Sequence, residues 1–226
     1  MLTFTKKVLE SWKHWGYEQL FLEGPQGYGK TTYSMLVAYE VYKDWKTVLY
    51  YTVFDIDSIE HEIDKRIELL KAGELETTDR IPVVIFDDAG LHFSKYLYII
   101  NPAKAQYINA LFNMARSLFA ATIFTSPDMD VLKELRKKSW WVGEPILVTN
   151  KSDPRRIMKL YRKRITVKGQ YTSKHAYDHF RTNVIPDWVW KEYNKKRGKA
   201  MEKIMNVLKE LKEKRVITPP PRGDNI

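Results

Sequence analysis

The eight residues Gly24-Pro25-Gln26-Gly27-Tyr28-Gly29-Lys30-Thr31 leave this chain few choices of fold. A glycine, four free positions and Gly-Lys-Thr make a loop whose successive backbone N–H groups curl into one concavity and offer it to an anion. Such a loop works between a strand that delivers it and a helix that leaves it. The helix adds its unpaired N-terminal amides and the positive end of its dipole. Both neighbours are present: Glu18-Gln19-Leu20-Phe21-Leu22 is a short apolar strand, and Thr31 to Tyr42 has the pattern of a helix. The arrangement predicts a nucleoside triphosphate site. Lys30 is expected to reach the β- and γ-phosphates and the Thr31 hydroxyl to ligate Mg²⁺, with Gly24, Pro25, Gln26, Gly27, Tyr28, Gly29 and Thr32 completing the cradle.

A second element has the matching chemistry. Ile81 to Phe86 is a buried parallel strand by pattern, and Asp87 and Asp88 follow at its carboxyl end, where open α/β sheets place ligands. Asp87 is expected to hold Mg²⁺ through its waters, since that ion prefers carboxylate oxygen and keeps part of its shell. Asp88 is then the candidate that orients or deprotonates the attacking water. Adjacent carboxylates repel unless a cation or proton offsets them, which favours a metal-linked role. Farther on, Phe119 to Phe124 is another buried strand, ending in Thr125-Ser126-Pro127-Asp128 at the same edge. Either Thr125 or Ser126 can hold the γ-phosphate or the water there, and an ordinary turn fits equally.

Composition narrows the setting. Apolar and charged fractions of 44% and 29% are those of a globular chain, and 226 residues suffice for one α/β core with an appendage. No apolar run reaches membrane-spanning length and the N-terminus lacks a secretory core, so no membrane association and a cytoplasmic location are expected. The absence of cysteine excludes disulfides, thiolate zinc sites and cysteine nucleophiles. The net charge of +10 is unevenly placed. Residues 1–150 carry 17 Lys+Arg against 20 Asp+Glu, whereas residues 151–226 carry 21 against 8. A basic last third on an acidic nucleotide-binding core predicts contact with a polyanion, DNA above all.

The remaining elements follow from periodicity. Residues 3–15 form an amphipathic helix with Val8, Leu9, Trp12 and Trp15 on one stripe. Lys46 to Phe54 is rich in β-branched and aromatic residues and is expected to be a strand; a helix follows over about 58–71 behind Asp57. Leu91 to Ile100 is irregular by pattern, and Asn101-Pro102 starts a helix to about Ser117 that faces Tyr107, Ile108, Leu111, Phe112 and Ala115 inward. A short helix over Met129–Lys138 leads to a fifth strand near Pro145–Thr149. The fold expected is a three-layer α/β domain, a five-stranded parallel sheet over residues 1–150, with 151–226 a basic strand and helix extension. In that extension Arg156 to Val167 alternates basic and apolar, with Ile157 and Ile165 on the inner face. With Tyr161 and Tyr171 it suits a nucleic-acid track or a Lys-protected edge strand. Trp188, Trp190 and Tyr193 open a helical tail with Ala200, Ile204, Val207, Leu208 and Leu211 at helical spacing, and Pro219-Pro220-Pro221 closes it.

The two motifs resemble those of ATP-hydrolysing P-loop proteins with a strand inserted between the loop strand and the Mg²⁺ strand. Phe86-Asp87-Asp88-Ala89-Gly90-Leu91 is similar to the Walker B segment of the AAA+ group of replication initiators, helicase loaders and transposition helpers. The resemblance covers about residues 16–150. It implies ATP and Mg²⁺ as cofactors, action on DNA in replication, helicase loading or a mobile element, a helicase or similar partner protein, and a homo-oligomer. Ser126 or Thr125 then stands at the sensor position, and Arg136, or second Arg116, is the arginine that reaches a neighbouring subunit's ATP. Asp88 replaces the more common glutamate, and the strand-like 155–168 segment departs from the helical lid of that group. Paired strands ending in Tyr171-Thr172-Ser173 are similar instead to FtsK/HerA-type DNA pumps and filamentous-phage assembly ATPases. A nucleotide kinase and an ATP-gated DNA scaffold remain as other classes. Asn150-Lys151-Ser152-Asp153 comes near a guanine-reading pattern and keeps a GTPase open.

Overall fold

The computed structural model of the chain describes residues 1–89, 101–127, 135, 139–166 and 169–217. Strand β1 (Glu18–Leu22) is followed by β2 (Thr52–Val53), β3 (Val84–Phe86), β4 (Ala121–Thr125), β5 (Trp141–Leu147), β6 (Arg155–Thr166) and β7 (Gly169–Arg181). The helices are α1 (Thr3–Lys13), α2 (Lys30–Tyr42), α3 (Trp45–Tyr50), α4 (Glu60–Ala72), α5 (Pro102–Asn113), α6 (Ala115–Leu118) and α7 (Asp187–Ile217). The expected irregular stretch 91–100, the short helix over 129–138 and the closing prolines fall outside the described residues.

All seven strands share one sheet in the order β2-β3-β4-β1-β5-β6-β7. The first five are parallel, with β4 lying between the loop strand β1 and the acidic strand β3. The expected five-stranded sheet is therefore only part of a larger one. β6 pairs antiparallel with β5, and β7 with β6, so the basic last third extends the same sheet. Parallel strands need both faces covered, and both are. Phe4 and Val8 of α1, Met35 of α2 and Val189 of α7 pack with Leu20, Ile123 and Met158 on one face. Ile63 of α4 and Ile108, Leu111 and Phe112 of α5 pack with Phe21, Phe86 and Phe124 on the other.

Three expectations are corrected. Residues 46–54 are mostly helix: the side chain of Asp44 accepts hydrogen bonds from the amide and hydroxyl of Thr47, at 2.8 and 2.7 Å, and caps α3. Local capping overrides β-propensity, leaving a two-residue strand. In β6 the inner face carries Arg156, Met158 and Leu160, all buried, and Ile157 lies on the other face. One residue of register exchanges the faces of a strand. Tyr107 is 41% exposed, outside the otherwise buried α5 stripe.

Two buried polar groups join the layers. Asp178 of β7 accepts hydrogen bonds from the Thr3 amide, the Thr3 hydroxyl and the Tyr33 hydroxyl, at 2.8, 2.6 and 2.7 Å, tying α1 and α2 to the hairpin. Arg80, 1% exposed, donates to the carbonyl oxygens of Ser11, Trp12, Gly16, Thr77 and Arg116 and lies 4.9 Å from the Trp15 ring centroid. It thereby gives the Trp12 carbonyl at the end of α1 a donor and adds to the bond that the Ser11 carbonyl already accepts from the Gly16 amide.

Where β5 pairs with β1, Gly143 leaves no room for a side chain. A Cβ on Gly143 would sit 2.3 Å from Leu22 Cδ2 and 3.0 Å from Met158 Sδ. Gly143→Ala is expected to destabilise by about 1–3 kcal/mol through overpacking. Thermal unfolding should register it as a drop of roughly 2–4 °C per kcal/mol. An unchanged midpoint would show that Leu22 repacks freely.

Candidate nucleotide site

The loop between β1 and α2 turns on glycines with positive φ: 124° at Gly24, 81° at Gly27 and 96° at Gly29. Side chains rarely adopt these angles. At Gly29 there is also a contact reason, because a Cβ would lie 3.2 Å from Phe180 and from Thr182 at the end of β7. The loop thus rests on the hairpin, and α2 begins at Lys30 with its free amides directed to the loop. Lys30 is 8% exposed, and its ammonium donates to the carbonyl oxygens of Gly24 and Pro25. Burial pulls its pKa below the ordinary lysine value, while Asp87 and Asp88 oppose that shift.

Asp87, fully buried, emerges from β3 toward the start of α2. The Thr31 hydroxyl lies 3.0 and 3.2 Å from its two carboxylate oxygens and donates to them. Hydroxyls of Thr125 and Tyr193 also donate to Asp87. Burial raises its pKa, the Thr125 and Tyr193 hydrogen bonds lower it, and the charge of Asp88 adds to the rise. Asp88 has φ +50°, a left-handed conformation that aspartate tolerates better than most residues. Its amide donates to Thr125 Oγ1 at 3.1 Å, and its carboxylate pairs with Arg197 at 2.7 Å.

These groups line one cleft of about 560 Å³. Gln26, Gly27, Gly29, Lys30, Thr31 and Thr32 form its loop side, and Asp88, Thr125 and Pro127 its strand-end side. The far side is built from the last third: Lys151, Arg156, Thr182, Trp190, Asn194 and Arg197. The donor set suits a metal-bound polyphosphate. Amides, Lys30 and the Thr31 hydroxyl stand on the loop side, with the Asp87 carboxylate directly behind Thr31 at 3.0 Å, the kind of pair that suits hydrated Mg²⁺.

The sequence-derived candidates are placed unequally. Gln26, Gly27, Gly29, Lys30, Thr31, Thr32 and Asp88 line this cleft, and Asp87 lies buried behind Thr31. Of the pair at the end of β4, Thr125 touches Asp87 and Asp88, whereas Ser126 is buried with a hydroxyl that has no partner among the described residues. Alternation along the strand sends the two side chains to opposite faces. Of the two candidates, Thr125 is the one whose hydroxyl bonds Asp87. Arg136 lies outside the described residues. Arg116 sits on α6, before β4 begins, at the opposite edge of the sheet from the loop. In the guanine-like run, Asn150 accepts from the amides of Ser152 and Asp153, and Asp153 binds Arg155 and Thr149. Those two side chains hold a turn. Only Lys151 reaches the cleft, 5.9 Å from the Tyr28 ring centroid.

Tyr193 and Arg197 were not foreseen as site residues. They stand one helical turn apart on α7 and bond the two adjacent carboxylates of β3. Lys196 donates to the carbonyls of Leu49 and Thr52 at 2.6 and 2.9 Å, and Lys203 pairs with Asp55 at 3.1 Å. Several of this helix's cations thus point inward.

Loop, acidic strand and parallel strand order together define a P-loop NTPase-like fold. No protein-family model matches the chain. It belongs to the family of the uncharacterized protein B-251 of Sulfolobus spindle-shape virus 1, with which it is 32% identical over 224 residues, 91% of this chain and 83% of that protein. A stretch of 130 residues is 30% identical to the uncharacterized protein ORF286 of Acidianus two-tailed virus, 57% of this chain and 43% of that one. Among solved structures, the N-terminal domain of zonular occludens toxin from Neisseria meningitidis is similar at a TM-score of 0.40 and 14% identity, over 72% of this chain and 95% of that domain. Among the described residues no helix is long and apolar enough to cross a membrane.

Proposed function

We propose that this chain is a Mg²⁺-dependent P-loop ATPase that acts on DNA. The observation that carries the ATPase reading is Asp87, held 3.0 Å from Thr31 across the mouth of a lysine-bearing phosphate loop. In this reading Lys30 and the loop amides bind the β- and γ-phosphates, and Thr31 and Asp87 hold hydrated Mg²⁺, whose chemistry is to neutralise developing charge on the phosphates. Asp88, turned into the cleft, orients the lytic water, and Thr125 fixes the Asp87 carboxylate and the Asp88 backbone amide. Adenine is favoured over guanine because Asn150 and Asp153 are engaged in their own turn. An arginine in trans, first Arg136, requires a homo-oligomer, whereas Arg197 already brings a guanidinium from the same chain.

The DNA reading is supported by the outer face of the β6–β7 hairpin. Arg155 and Arg181 stand opposite each other in register, and Lys174, Tyr177 and His179 share that exposed face, with the Lys174 ammonium 4.0 Å from the Tyr177 ring centroid. Arg155 is already paired with Asp153 at 2.7 Å, so the positive charge this face offers an external anion comes from Arg181 and Lys174. Cations interleaved with an aromatic ring suit a nucleic-acid backbone and its bases. A replication or helicase-loading role is the primary form of this reading. A DNA translocase is the second, favoured by the strand pair that joins β5 where a helical lid would stand.

The test is phosphate release from ATP and GTP, with and without single- and double-stranded DNA, at several protein concentrations, for the native chain and Lys30→Ala. ATP turnover that DNA stimulates and that Lys30→Ala reduces to background is expected, with DNA affinity falling as salt rises. Turnover that survives Lys30→Ala sinks the ATPase reading. Indifference to DNA sinks the second half. A rate rising faster than linearly with protein supports assembly, and linear behaviour counts against an arginine in trans.

A further inference from the structure

We infer that Tyr193 and Arg197 are positioning residues of the nucleotide site, and that Arg197 is the group by which the chain distinguishes a nucleoside triphosphate from a diphosphate. The inference rests on the ATPase reading and extends it to a helix that neither sequence motif includes.

Two adjacent carboxylates at the end of a buried strand repel each other, and Asp87 is entirely removed from water. In this structure α7 offsets both: the Tyr193 hydroxyl donates to Asp87 and the Arg197 guanidinium pairs with Asp88 at 2.7 Å. Burial works against the Arg197 charge, but Asp88 outweighs it and holds the guanidinium above its ordinary pKa. The helix that presents them is held independently of these bonds, by Lys196 on the end of α3 and on β2 and by Lys203 on Asp55. Side chains can therefore exchange partners at the cleft while the backbone of α7 stays in place.

Arg197 lines the same cleft as Gly27, Lys30 and Thr31. A terminal phosphate seated between the loop and β3 offers Arg197 more negative charge than Asp88 and a better fork for its paired donors. In passing to that phosphate, Arg197 frees Asp88 to orient water. Tyr193 meanwhile holds one face of Asp87, so it competes with the hydrated metal for carboxylate oxygen. A diphosphate lacks the group that draws Arg197 away and leaves Asp88 paired.

The experiment measures equilibrium binding of ADP and of a non-hydrolysable ATP analogue, each titrated with Mg²⁺, for the native chain, Arg197→Ala, Arg197→Lys and Tyr193→Phe, with thermal unfolding run alongside. Arg197→Ala is expected to weaken the ATP analogue by roughly 10–100-fold, the scale of a charge-assisted hydrogen bond, and ADP by less than about twofold. Arg197→Lys should recover part of the difference. Tyr193→Phe is expected to lower the Mg²⁺ concentration at half-maximal binding by about two- to tenfold. Equal effects of Arg197→Ala on both nucleotides, or none, overturn the role of Arg197. An unchanged Mg²⁺ midpoint in Tyr193→Phe overturns that of Tyr193. A native chain that binds neither nucleotide refutes the ATPase reading itself, which separates the two failures.

Discussion

Asp87→Asn is expected to leave the protein folded at neutral pH, as stable as the native chain or more so, and to reduce nucleotide hydrolysis by roughly 10²–10³-fold. The loss follows from removing the carboxylate proposed to hold Mg²⁺, whose charge stabilisation is worth several kcal/mol at about 1.4 kcal/mol per factor of ten. The stability follows from the opposite sign of the same charge. Burial raises the Asp87 carboxyl above its usual range, with hydrogen bonds from Thr125 and Tyr193 restraining the rise. A carboxyl raised on folding contributes stability below its unfolded pKa and loses that contribution as pH rises through the folded value. Ionised Asp87 therefore opposes folding at neutral pH. Asparagine keeps one acceptor oxygen without the charge and turns its NH2 to the other position, where the facing hydroxyl must rotate to accept. Unfolding midpoints measured between about pH 4 and 8 should show the gap between variant and native chain closing toward low pH. A marked drop in midpoint at neutral pH would mean that the three hydroxyls depend on the charge more than burial penalises it.

Arg80→Ala should be the most damaging substitution remote from the cleft. It removes a donor from five carbonyl oxygens in four parts of the chain, of which Ser11 keeps the Gly16 amide, and empties the space beside Trp15. Buried acceptors left without partners cost on the order of 1–3 kcal/mol each before relaxation, so a loss of at least about 3 kcal/mol is expected. For a chain of this size that is roughly 6–12 °C in the unfolding midpoint. Arg80→Lys keeps the charge but cannot reach all five oxygens and should fall between. A loss under about 1 kcal/mol for the alanine variant would show that water enters and replaces the guanidinium.

The loop and the acidic strand were legible because their patterns are local. Glycines with positive φ, the lysine and Thr31 are contiguous, and Asp87 follows an unbroken apolar strand. The order of the parallel strands follows from a strand placed between loop and acid. What escaped the sequence is non-local or decided by a single residue of register. Asp44 caps α3 in a stretch whose composition favours a strand, and one step of alternation puts Thr125 rather than Ser126 beside Asp87. Tyr193 and Arg197 are separated from Asp87 and Asp88 by more than a hundred residues, in a helix whose lysines and arginines look uniformly solvated. The available signal was slight: a tyrosine on the apolar stripe of α7 with an arginine one turn later.

Strand β7 gives the hairpin two addresses. Asp178 and Phe180 face inward, and Phe180 with Thr182 at the strand's end stands within 3.2 Å of where a Cβ on Gly29 of the phosphate loop would lie; Tyr177, His179 and Arg181 face outward. The outer basic surface and the glycine loop are thus back to back, one strand's thickness apart, on peptides they share. Communication between them needs no relay through the core: a tilt of β7 felt on one side is, by the same displacement, a change in the wall of the other.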